Sequence, residues 1–136
     1  MDRVFLDANV LFSAAYRPDT KLRQLFKLRK VRLLSSSYSV EEARRNLATT
    51  EQRKDLEELC ASLEIITTAS LDLPPSLVLD LPASDRPILS AAISAHATHL
   101  LTGDVTDFGP YFGQTLEGVL ILPPALYLQG HRGGKS

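Results

Sequence analysis

Apolar positions along the chain alternate between two rhythms. Short continuous runs at Val4-Phe5-Leu6, Val31 to Leu34, Ile65-Ile66, Leu100-Leu101 and Gly118 to Leu122 have the length of buried strands. Between them the spacing turns helical. Leu22, Leu25 and Phe26 share a face of a helix predicted from about Asp19 to Lys30, and Val40, Ala43 and Leu47 line one that opens at Ser39. Thr49-Thr50-Glu51-Gln52 restarts a helix carrying Leu56, Leu59, Cys60 and Leu63. Ser84-Asp85-Arg86-Pro87 begins another, since proline is tolerated in a first turn; it is apolar nearly all round from Ile88 to Ala97, so burial is expected.

Such alternation predicts βαβ units with right-handed crossovers: an α/β fold of three α/β/α layers around a short parallel sheet of about four or five strands. Proline-rich residues 71–82 read as a loop, and residues 1–128 as one domain followed by a flexible polar tail at 129–136. A length of 136 residues leaves no room for a second core. No apolar run approaches the roughly 20 residues that cross a bilayer, and the opening MDRVFLDANVLF is a poor signal peptide. The single Cys60 excludes an internal disulfide and any multi-cysteine metal site. A soluble, cytoplasmic protein is expected.

The net charge of −1 hides an asymmetry. Residues 1–54 hold 12 basic and 6 acidic side chains, whereas residues 55–136 hold 3 and 10. Lys21, Arg23, Lys27, Arg29 and Lys30 suit phosphate contacts, the sequence-independent part of RNA binding, or equally an ordinary solvated face.

The candidate chemistry lies in acids at strand ends and helix starts. In open parallel sheets, functional groups gather beyond the carboxyl ends of the strands. Asp7 directly follows Val4-Phe5-Leu6, and Asp104 follows Leu100-Leu101 after Thr102-Gly103. Glu42 and Asp85 sit at predicted helix starts that face the same edge, and Asp107 lies three residues past Asp104. Carboxylates brought together repel one another unless a cation intervenes, and Mg²⁺ or Mn²⁺ prefers such oxygen ligands. Phosphodiester hydrolysis is the chemistry that best uses such a site.

These residues resemble the motifs of PIN-domain nucleases. Val4-Phe5-Leu6-Asp7-Ala8-Asn9-Val10-Leu11 is similar to the opening strand motif, and Ser36-Ser37-Tyr38-Ser39-Val40-Glu41-Glu42 to the second, which favours Glu42 over Glu41. Ser84-Asp85-Arg86-Pro87-Ile88-Leu89 resembles the third motif, Leu100 to Phe108 the fourth, and Pro124-Ala125-Leu126-Tyr127-Leu128 the closing segment. The resemblance implies that Asp7, Glu42, Asp85 and Asp104 are the catalytic, metal-binding acids, with Asp107 assisting and Asn9 and Thr102 orienting a carboxylate or a bound water. It further implies a Mg²⁺- or Mn²⁺-dependent endoribonuclease acting on single-stranded or looped RNA, extending to the toxin of a VapC-like toxin–antitoxin pair with an antitoxin partner. A homodimer is left open.

Each residue also has a structural reading. Ser39 and Glu42 have capping-box spacing, Ser84-Asp85 suits a helix start, and Asp104 fits a plain turn. Asp7 is harder to dismiss, because an acid ending a buried strand is costly unless paired. His96 and His99 have no third His or Cys nearby to complete a metal site, and Cys60 lies on an apolar stripe. A haloacid-dehalogenase-type phosphatase would want Asp where Asn9 stands and a later lysine, yet none occurs between Lys54 and Lys135. The remaining alternative is a catalytically silent PIN-like module that binds RNA or protein.

Overall fold

The computed structural model describes residues 1–67 and 86–134, so Asp85 and the proline-rich segment 71–82 lie outside the described residues. Strand β1 (Asp2–Leu6) runs directly into helix α1 (Ala8–Tyr16), followed by a 3₁₀ segment (Lys21–Lys27), β2 (Val31–Ser36), α2 (Ser37–Asn46), α3 (Thr50–Cys60) and β3 (Glu64–Ile66). Then come α4 (Arg86–Ser94), β4 (His99–Leu101), β5 (Thr115–Leu116), β6 (Val119–Leu122) and α5 (Pro124–Gly134). Among the described residues, no helix is long and apolar enough to cross a membrane.

Among the described residues the strands form one six-stranded sheet in the order β3-β2-β1-β4-β6-β5, parallel except for β5. The expected four or five parallel strands are therefore extended by one antiparallel edge. Glu117 and Gly118 make a two-residue turn with φ of 50° and 87°, which lets the chain fold back from β5 onto β6. A two-residue strand is too short to register as an apolar run.

Alternation along β1 sorts the core. Val4 and Leu6 face a cluster with Val10 and Leu11 of α1, Ala43 of α2, Leu56 of α3 and Tyr127 of α5. Phe5 faces the opposite cluster, with Leu89 and Ala92 of α4, Phe108 and Ile121. These two cores give the expected three layers. The Tyr127 hydroxyl donates to Asp2 Oδ2 at 2.7 Å, tying α5 to the amino-terminal end of β1.

Three local expectations need correction. The helix expected over Asp19–Lys30 is a 3₁₀ segment at Lys21–Lys27, where apolar Leu22, Leu25 and Leu28 recur every three residues, the 3₁₀ period. Helix α2 starts earlier than Ser39: Ser36 is its N-cap and accepts the Ser39 amide at 3.0 Å. Residues 129–134, expected within the flexible tail, continue α5, where intrahelical bonding satisfies the backbone locally.

Candidate active site

The chain builds β1, β2 and β3 outward on one side, then returns to place β4 on the other side of β1. The carboxyl ends of β1 and β4 thus flank the point where strand order reverses, the usual place for a ligand crevice in open α/β sheets. Asp7 stands at the end of β1, and Thr102, Gly103 and Asp104 follow β4.

Asp7 is 3% exposed and caps α1, with Oδ1 accepting the Ala8 amide at 2.6 Å. Its Oδ2 accepts the Thr102 hydroxyl at 2.8 Å and the Asn9 side-chain amide at 3.3 Å. Thr102, fully buried, also accepts Asn9 Nδ2 at 3.3 Å and the Asp104 amide at 3.1 Å. Asn9 closes the bridge by accepting the Gly103 amide at 2.8 Å. One network therefore joins the two strand ends and fixes the Asp7 carboxylate.

Burial pushes the Asp7 carboxyl above its ordinary value; Thr102 and the Ala8 amide pull it down, and the nearby Glu42 and Asp104 charges push it up again. Asp7, Glu42 and Asp104, from three separate elements, line one open cavity of about 410 Å³ with Asn9. Ala8 and Phe12 of α1, Asn46 of α2 and Ile88 of α4 complete its wall. Phe12, Asn46 and Ile88 escape the sequence reading. Only Asn46 leaves a sequence signal, standing four residues past Glu42 on the same helical face.

The corrected start of α2 decides between readings of Glu42. With Ser36 as the cap, Glu42 lies well inside the helix, so the capping box proposed for Ser39 and Glu42 is absent. Asp104 does serve its turn, accepting the Asp107 amide on Oδ1 at 3.0 Å. Asp107 thus joins through its backbone, and its side chain is not part of the cavity lining.

The basic residues divide. Arg23 donates to the Ala14 carbonyl at 2.7 Å and to Asp55 at 3.1 Å, so it ties the 3₁₀ segment to α1 and α3 rather than presenting a free cation. Lys21 and Lys27 are exposed around a second depression of about 460 Å³, and Arg29 and Lys30 are exposed beyond it. His99 packs edge-on against Tyr127 with ring centroids 4.9 Å apart, at the sheet end remote from Asp7. Cys60 is half-buried against the core, which pushes its thiol up to about 11.

Among the described residues, no three Asp, Glu, His or Cys side chains stand close enough to hold a metal ion by themselves. The donor chemistry still fits a hard cation: carboxylate oxygens line the cavity, backed by amide and hydroxyl groups, with no sulfur or imidazole among them. Burial is the main cause of the rise at Asp7; the smaller part that comes from the Glu42 and Asp104 charges is what such a cation would relieve.

Comparison with known proteins gives a consistent picture. Residues 3–106 match the family model described as PIN domain. The structure is similar to a chain in the crystal structure of VapBC2 from Rickettsia felis bound to a DNA fragment from their promoter. The TM-score is 0.63 at 15% identity, covering 89% of this chain and 98% of that one. At that identity the likeness speaks for the fold. No curated protein sequence matches.

Proposed function

The chain belongs to the PIN-domain family, and from that premise we propose that it is a Mg²⁺- or Mn²⁺-dependent endoribonuclease. The observation that carries this reading is the meeting of Asp7, Glu42 and Asp104 in one crevice at the switch point of the sheet. These acids, joined by Asp85, are proposed to hold the cation. When bound, a divalent ion makes a coordinated water nucleophilic and offsets charge on the leaving oxygen.

The chain's own residues do the positioning. Thr102 and Asn9 lock Asp7 Oδ2 in one direction, and the Ala8 amide fixes Oδ1, so little reorganisation is needed on binding. Glu42 approaches from α2, and Asp104 keeps Oδ2 available while Oδ1 holds the Asp107 amide. Similarity to the VapBC2 chain supports a role as the toxin of a toxin–antitoxin pair, acting in the cytoplasm and held by an antitoxin.

The test is cleavage of RNA by purified protein with Mg²⁺ or Mn²⁺. EDTA should stop it, and Asp7→Asn or Asp104→Asn should lower the rate by orders of magnitude. Full cleavage by either variant, free of contaminating nuclease, sinks the assignment. Wild-type protein inert on every RNA and metal tried would favour the silent binding module.

A further inference from the structure

Helix α1 carries an aromatic pair of which core packing accounts for Phe12 but not for Tyr16. Phe12 and Tyr16, one helical turn apart, stack with ring centroids 5.4 Å apart and planes inclined by 21°. Phe12 is partly buried and forms part of the acidic cavity wall beside Asp7 and Asn9. Tyr16 is 52% exposed, and among the described residues its hydroxyl has no hydrogen-bond partner. Tyr16 is thus held against its neighbour while about half of the residue stays open to solvent.

The order of chemistry along this surface is informative. The acidic cavity lies at the start of α1, Phe12 about 6 Å along the axis from Ala8, and Tyr16 about 6 Å further. Two residues past Tyr16, at Pro18, begins the second depression, with Lys21 and Lys27 exposed on its rim. Carboxylates, a stacked aromatic pair and ammonium groups are complementary to three parts of one RNA strand: a phosphate held through a cation, a base branching from the backbone, and a further phosphate.

We infer that Phe12 and Tyr16 form a base-stacking subsite that seats an unpaired nucleobase next to the phosphate to be cut. The inference rests on the ribonuclease reading and adds to it a place on this chain where one unstacked base of a single-stranded RNA would sit. An unpaired base has a π-face to lay against the exposed Tyr16, whereas bases stacked within a duplex do not. Phe12 sets the angle of the stack, and Tyr16 presents it.

The test uses binding in the Asp7→Asn background with Mg²⁺ present, to fluorescein-labelled oligoadenylate, oligouridylate and an abasic oligomer of equal length. Tyr16→Ala should weaken oligoadenylate binding about fivefold or more, the lower end of the measured contribution of one stacked base. Tyr16→Phe should bind as the parent does. Tyr16→Leu, which keeps apolar cover over Phe12 but lacks a π-face, should behave like Tyr16→Ala. The preference for adenine over uracil should shrink in both weakened variants, and the abasic oligomer should bind all four proteins alike.

Unchanged oligoadenylate affinity in Tyr16→Ala overturns the inference and leaves the ring to a protein partner, and so does an equal loss on the abasic oligomer. If wild-type protein cleaves RNA while either result is obtained, only the stacking subsite falls. If wild-type protein neither binds nor cleaves these oligomers or any other RNA tried, the ribonuclease reading falls with it.

Discussion

Replacing Thr102 by valine removes one oxygen and nearly preserves volume, so the perturbation is confined to hydrogen bonding. That oxygen is fully buried, donates to Asp7 Oδ2 at 2.8 Å, and accepts the Asp104 amide at 3.1 Å and Asn9 Nδ2 at 3.3 Å. The bond to an ionised carboxylate contributes about 2 kcal/mol and the amide bond about 1 kcal/mol. The longer contact adds little. An expected loss of about 3 kcal/mol is large against the 5–15 kcal/mol typical of a domain. Urea unfolding of metal-free protein at neutral pH measures it directly, with Thr102→Ser as the control that keeps the hydroxyl and should recover most of the loss.

The loss also has a pH signature. Thr102 lowers the Asp7 pKa by favouring the charged form, so the penalty of the valine variant should be largest where Asp7 is ionised. It should narrow as pH falls and the carboxyl takes up its proton. A penalty below about 0.5 kcal/mol, the size of ordinary surface substitutions, would refute the reasoning. So would a penalty independent of pH, or a serine variant as weak as the valine one.

Further outcomes follow from the same geometry. In EDTA the folded Asp7 pKa lies above the unfolded value of 3.8, so the native state binds more protons between the two. Stability should therefore fall as pH rises through that window and level off above it, and Asp7→Asn should flatten this segment of the urea-derived curve. Mg²⁺ at a hundred times its Kd should stabilise the wild-type protein by about 2.7 kcal/mol, seen as a raised Tm, and should leave the Asp7→Asn/Asp104→Asn double variant unmoved. Arg23→Ala should cost about 1–2 kcal/mol in unfolding experiments, because two bonds anchor its guanidinium, yet leave the salt dependence of RNA binding intact. Lys21→Ala should do the reverse, keeping stability and lowering the salt slope by about one.

Much of the architecture was readable because buried parallel strands announce themselves as apolar runs and the acids stand where those runs stop. Asp7 and Asp104 stand just past two such runs, and the structure places both on the cavity wall with Glu42. What stayed hidden depends on contacts distant in sequence. Nothing local to Arg23 reveals that Asp55 and the Ala14 carbonyl occupy its guanidinium. Helix α1 was missed because it starts within one residue of β1, and Val10, Leu11, Ala14 and Ala15 merge with the strand's apolar run. Ser36, Ser37 and Ser39 all have capping chemistry, so the sequence alone does not single out Ser36 as the cap of α2. Pairing of Ser35 and Ser36 with Ile65 and Ile66 carries β2 on to Ser36, which selects that residue.

That selection gives α2 the character of a screw with a fixed stop. Glu42 lies six residues beyond Ser36, and each residue turns the helix by about 100° and advances it by about 1.5 Å. One inserted residue between them would swing the carboxylate about a quarter turn away from Asp7. Four would bring it back to nearly the same heading, about 6 Å further along the axis. The interval from Ser36 to Glu42 is therefore a thread setting. Side chains within it are free to vary wherever packing allows, but their number is not.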